Sequence, residues 1–272
     1  MFAQNVAVQP KSETLFYVYI QDWLKSKKTN SSIDVVTYEQ YESVCNNHLI
    51  PYFKKKKSML ESIDYKDVQD FIDFEAKCGN KLNNKGLSPK SLGTLKKTLS
   101  QIFKSARRDK LISDNPCEFV KTPKQIKREP NILTLEQLQI LLENIKDENV
   151  YPIIYLTSVY GLRRSEVLGI KWDSIDYENM TVTIKHTVVQ GNNLYEKDST
   201  KNESSYRTYP MSEEIKEIFL RQKKQEEENK KRFGKNYISN DYVFKWDNGE
   251  IIKPDYVSKK LGELLEKTAY LT

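Results

Sequence analysis

Apolar residues recur at helical spacing through most of the first 110 positions. Leu15, Phe16, Tyr19, Ile20, Trp23 and Leu24 share one side of a helix expected from about Glu13 to Lys28. Tyr38, Tyr41, Val44, Cys45 and His48 do the same over Val36 to His48, and Ile50-Pro51 is expected to stop that helix. Lys54 to Lys57 then reads as a loop. Val68, Phe71, Ile72 and Phe74 predict a third helix within Asp64 to Cys78, and the polar, glycine-bounded segment Gly79 to Gly86 reads as a loop. Ser88-Pro89 is a start signal: a capping hydroxyl, then proline at the first helical position. Leu92, Leu95, Leu99, Ile102, Phe103 and Ala106 line one side of the helix that follows.

Lys121 to Pro130 is basic, proline-flanked and poor in large apolar residues, as a linker is. Beyond it, Thr134 and Gln137 form a capping-box pattern ahead of Leu135, Leu138, Leu141 and Leu142. Pro152 to Tyr160 reads as a short buried helix, and Ser165 to Trp172 as another. The period then changes. Met180 to Val189, rich in β-branched residues, reads as one strand, and Gly191-Asn192-Asn193 as a turn. Two further short strands flank Ser199 to Ser205. Helix returns after Ser212 and runs to Arg232, and a last helix spans Asp255 to Lys267. The expectation is a mainly α protein with a small antiparallel β-sheet. Its parts are a tail (1–11), a helical domain (12–120), a linker (121–131) and an α+β domain (132–272).

Composition narrows the class. The 272 residues are 38% hydrophobic and 11% aromatic, too many aromatics for a disordered chain. Val150 to Leu162, the longest uncharged stretch near the middle, is too short for a membrane span, so no membrane partner is expected. The first ten residues lack the basic start and apolar core of a secretory signal. Cys45, Cys78 and Cys117 are odd in number and widely spaced, as reduced thiols of a cytoplasmic protein are. His48 reads as a packed or capping residue. No cluster has metal-ligand spacing, and no metal or other cofactor is expected.

Charge adds a partner. The net charge is +6, but residues 1–130 carry +8 and residues 131–272 carry −2. Between Lys81 and Lys110 nine basic residues stand against one acid, Asp109. On the helix after Pro89, Lys90, Lys97, Gln101, Lys104 and Arg108 lie opposite the apolar stripe. That arrangement makes a row of cations about 27 Å long. Such a face suits a polyanion, and a nucleic acid is the expected partner.

Candidate chemistry lies in Tyr160-Gly-Leu-Arg-Arg-Ser-Glu-Val-Leu-Gly-Ile-Lys-Trp-Asp-Ser-Ile-Asp176 and in Ser199-Thr-Lys-Asn-Glu-Ser-Ser-Tyr-Arg-Thr-Tyr-Pro-Met211. The first resembles the arginine box of the tyrosine recombinases, the phage and conjugative-transposon integrase family. The second resembles their β-hairpin, with Tyr209 and Met211 standing for aliphatic residues. The resemblance covers the whole chain. It implies a SAM-like helical core-binding domain, then the first part of a catalytic domain. It also implies double-stranded DNA as the partner, with strand cleavage and rejoining through a 3′-phosphotyrosine. Arg163 would clamp the scissile phosphate, and Glu166 would orient catalytic groups. Lys201 would protonate the departing 5′ oxygen, and Arg207 would be structural or touch phosphate. Arg164 would be a bystander and Trp172 a core residue.

The family's later His-x-x-Arg box and nucleophilic tyrosine have no counterpart: the chain holds only His48 and His186, neither in that box. Tyr256 and Tyr270 are therefore not expected to be nucleophiles. The chain is expected to be C-terminally incomplete, to bind DNA without cleaving it, and to be monomeric without DNA, whereas the full-length form works as a tetramer. Two other readings remain open: a non-catalytic DNA-binding regulator derived from an integrase, and a type IB topoisomerase-like enzyme.

Overall fold

The structure is a computed structural model that describes residues 14–29, 33–81, 83, 85–126, 132–197 and 206–269. The chain divides into two units, Met1–Glu129 and Pro130–Thr272.

In the first unit, α1 (Phe16–Thr29), α2 (Val35–Val44), α3 (Ile50–Lys56), α4 (Tyr65–Cys78) and α5 (Pro89–Arg108) surround one core. Phe16 is its centre, stacked on Phe103 at 4.8 Å and edge-on to Phe53 at 4.8 Å. Local chemistry sets the helix starts. Asp64 and Asp67 form a capping box at α4, and the Ser88 hydroxyl accepts from the Ser91 amide at α5. Trp23 ties α1 to α5 by donating to Ser105 Oγ at 3.1 Å.

Pro51 does not stop the helix as expected. A single π-turn, Cys45–Leu49, joins α2 to α3, and the Ile50 amide reaches back to the Cys45 carbonyl. The widened turn takes up the proline, whose ring and missing N–H conflict with a regular α-helical turn. Lys54, Lys55 and Lys56 are consequently the last turn of α3 and not a loop. Lys57 closes that helix in the left-handed conformation, at φ 50°. His48 is a packed residue, with Nδ1 2.7 Å from Glu75 Oε2.

The second unit contains α6 (Leu135–Asn144), α7 (Tyr151–Tyr160), α8 (Arg164–Val167), β1 (Ile175–Asp176), β2 (Thr181–Ile184), β3 (Thr187–Gln190), β4 (Leu194–Lys197), β5 (Arg207–Pro210), α9 (Glu213–Phe233) and α10 (Pro254–Ala269). One antiparallel sheet has the order β1-β2-β5, and β3-β4 is a separate hairpin. Val182, Ile184 and Val188 enter a core completed by Leu156, Val167, Leu168, Phe219 and Phe244. A smaller cluster joins α6, α7 and α10 through Leu141, Ile145, Ile154 and Leu264.

The β-branched run is two strands, not one. β2 pairs with β1 and β5, while β3 turns away to pair with β4. At the break, the end of the α8 segment presses against the chain. A β-carbon on Gly169 would lie 2.3 Å from the His186 carbonyl oxygen, so only glycine fits this approach. The helix expected over Ser165 to Trp172 is a single turn, followed after Gly169 by a 3₁₀ turn at Trp172–Ser174. The helical turn ends at Leu168, just ahead of this close approach.

Candidate functional site

The site is built at the short link between α7 and α8. Gly161 ends α7 in the left-handed conformation, at φ 63°. Leu162 is buried and anchors the link. Arg163 follows in extended conformation as the residue that caps α8. The turn thus presents Arg163 just outside a core whose wall is Leu162 and Val167.

Glu166 holds this arginine. Its Oε2 accepts the Arg163 amide at 2.8 Å, and its Oε1 accepts Arg163 Nη1 at 2.7 Å. Oε2 also accepts Arg207 Nη2, at 2.8 Å, from β5. The Glu166 side chain is 2% exposed, Arg207 28% and Arg163 71%. One buried carboxylate therefore carries two guanidinium groups, and the outer one keeps most of its surface in solvent. Burial pushes the Glu166 carboxyl up, but the donors from Arg163 and Arg207 outweigh it and hold the group below its ordinary value. The local balance is one excess positive charge.

Tyrosines brace the inner arginine. Arg207 Nε donates to the Tyr209 hydroxyl, since the two residues share one face of β5. The Tyr209 ring stacks on Tyr160 at 4.7 Å, and the Tyr160 hydroxyl donates to the Pro210 carbonyl at 2.7 Å. Burial pushes the Tyr160 hydroxyl up to about 12, so it stays a neutral donor. On the other side, Arg164 Nη1 donates to Ser258 Oγ at 2.7 Å and to Asp255 Oδ1 at 3.2 Å, fixing α8 to α10.

In the first unit, Lys90, Lys97, Lys104 and Arg108 are all exposed on α5, opposite Leu92, Leu95, Leu99, Ile102 and Phe103. The helix has six cations and no acid. Arg108 is partly neutralised by Asp109, 3.2 Å away. Lys96 lies off this face and donates to the Val120 carbonyl.

Residues 15–123 match the phage integrase SAM-like domain family. The ICEBs1 integrase of Bacillus subtilis is 23% identical over 253 residues, covering 91% of this chain and 64% of that protein. A XerC-like tyrosine recombinase of Caldanaerobacter subterraneus is 25% identical over 251 residues, covering 85% of this chain and 62% of that protein. Over most of its length the chain is similar to tyrosine recombinases and integrases. It spans less than two thirds of the length of these relatives. The fold agrees with that of the Tn1549 transposon integrase solved with circular intermediate DNA. That structure has a TM-score of 0.71 at 21% identity, covering 95% of this chain and 79% of that one. A lambda integrase dimer on core-site DNA gives a TM-score of 0.65 at 14% identity, covering 95% of this chain and 65% of that one.

The structure brings Arg163, Glu166 and Arg207 together. Lys201 lies outside the described residues. Arg207, expected to be structural or to touch phosphate, is committed to Glu166 and Tyr209. Arg164 is no bystander, because it anchors α8 to α10. Trp172 is only partly buried, and its indole donates to Glu226 Oε2 at 2.8 Å. Tyr209, read as a replacement for an aliphatic residue, contributes its hydroxyl. Its spacing of two from Arg207 on a strand was the available signal. Among the described residues no group of His, Cys, Asp and Glu is placed to hold a metal, and no helix is long and apolar enough to cross a membrane.

Proposed function

We propose that this chain is the DNA-holding part of a site-specific recombinase, with Arg163 as the guanidinium that meets the scissile phosphate. The observation that carries this reading is the Glu166 carboxylate. It holds Arg163 by two bonds, one from the backbone amide and one from Nη1, and leaves the head group exposed. Phosphoryl transfer gathers negative charge on nonbridging oxygens, and a preorganised guanidinium stabilises that charge without reorganising first. Glu166 is a positioning residue, and Arg207 positions Glu166. Lys201 is proposed, on the motif alone, as the donor of a proton to the departing 5′ oxygen. Lys90, Lys97, Lys104 and Arg108 hold the flanking backbone of the duplex.

DNA as partner is supported by the relatives: the Tn1549 and lambda integrases were solved on DNA. One lambda integrase structure is a tetramer on a Holliday junction. By analogy the working assembly is a tetramer on two duplexes, while this chain alone is a monomer in solution.

The test is duplex binding as a function of salt, together with a covalent-trapping assay. Affinity should fall steeply, with a log–log slope of about 0.9 per neutralised phosphate. A nicked duplex that traps phosphotyrosine should give no adduct, since no His-x-x-Arg box follows the arginine box in these residues. Flat affinity between low and moderate salt removes the DNA-holding role. An adduct formed by this chain overturns the view that it lacks the nucleophile.

A further inference from the structure

Gly93 stands inside α5, where glycine costs the helix stability relative to alanine. The fold gives no reason for it. A β-carbon added there would meet nothing within 4 Å beyond its chain neighbours and the backbone of its own helix, and no positive φ is needed. Where Gly79, Gly86 and Gly169 are glycine because neighbouring atoms leave no room, Gly93 faces open space. Its position on the helix is particular. At 100° per residue it lies within about 60° of Lys90, Lys97 and Lys104, and it sits one turn from each of the first two. The bare spot therefore flanks the cation row near its N-terminal end, between the turns that carry Lys90 and Lys97. That row has no acid on its own helix, and Lys90, Lys97 and Lys104 form no ion pair among the described residues.

We infer that Gly93 is a close-approach point for duplex DNA: a stretch of sugar-phosphate backbone seats directly on the α5 backbone between Lys90 and Lys97. Without a β-carbon the phosphate comes nearer the helix, within reach of both ammonium groups at once. Any side chain at 93 stands in that path. The inference rests on the DNA-holding reading above and adds a steric element that charge alone does not contain.

Stability and binding should then move in opposite directions. Gly93→Ala should raise the melting temperature of the chain by about 2–4 °C. The same change should weaken binding to a 30-base-pair duplex of mixed sequence at low salt several-fold. Gly93→Gln, uncharged and longer, should weaken it further. The salt slope should stay near that of the unmodified chain, because no cation has been removed. Gly262 in α10 is an equally open helical glycine, set between Lys259 and Glu266. Gly262→Ala should leave duplex binding unchanged. If Gly93→Ala and Gly93→Gln bind as tightly as the unmodified chain while Lys97→Glu with Lys104→Glu binds weakly, the close approach is wrong and the cation face stands. If none of these variants alters binding, α5 is not the DNA face, and the underlying reading of that helix fails as well.

Discussion

Glu166 is an acid that stays charged in a place where burial opposes charge. Its folded pKa lies below the ordinary value of 4.5, because the gain from the Arg163 and Arg207 donors exceeds the desolvation cost. The sign of the linkage follows. A depressed carboxylate stabilises the fold above its unfolded pKa, and the contribution is lost as pH falls through the folded pKa. Glu166→Gln should cost about 2 kcal/mol at pH 7, by weakening charge-assisted bonds to two arginines. It should also remove part of the loss of stability seen on acidification. Thermal melts from pH 7 to pH 3 check this, and parallel curves for the two proteins would show that no linkage resides here. Tyr209→Phe is a milder change: it leaves Arg207 Nε without its acceptor and keeps the ring stack on Tyr160. We expect a loss of about 1 kcal/mol in chemical denaturation, with the salt slope of duplex binding unaltered. At this scale, Arg163 and Glu166 were legible because both lie in one short motif. Arg207 bonds to Glu166 across 41 residues, and Arg164 bonds to Ser258 across 94. Such partners depend on strand register and helix packing, which no local pattern encodes.

Among elements, α5 was legible in full. Its start at Ser88-Pro89, its buried stripe and its cation row all follow from period and capping chemistry. The α3 lysines were misread because the π-turn at Cys45–Leu49 neutralises the usual meaning of proline. The extra residue in that turn leaves no mark in the pattern of apolar positions. The run from Met180 to Val189 was misread as one strand because β-branched residues report strand conformation but not pairing partner. For α5 the electrostatic prediction can be made separately from the Gly93 one. Lys97→Glu with Lys104→Glu reverses two exposed charges that make no ion pair among the described residues, and it touches no core residue. The melting temperature should change little. Duplex affinity should fall across all sequences, with the salt slope smaller by about 2 if each lysine meets one phosphate. Fluorescence anisotropy over a salt series measures both quantities, and an unchanged slope would place these lysines away from the DNA.

Over the whole molecule, the asymmetry of charge says where salt sensitivity should reside. Residues 1–130 carry +8 and residues 131–272 carry −2, although the two parts hold similar numbers of lysines and arginines. What differs is the company the cations keep. In α9 the exposed Lys223 and Lys224 are followed one turn on by the exposed Glu227 and Glu228, and Arg221 pairs with Glu217 at 3.1 Å. A phosphate approaching α9 meets both signs, and counterions condensed on DNA are released only where unmatched cations replace them. Lys223→Glu with Lys224→Glu removes as much formal charge as the double reversal on α5. On net charge alone the two variants should bind DNA equally weakly. On local balance the α9 variant should keep the affinity and the salt slope of the unmodified chain, while the α5 variant loses both. Measuring the two variants side by side at matched ionic strength separates these outcomes. Equal losses would mean that the field of the whole chain holds the duplex, and that α5 has no privileged contact.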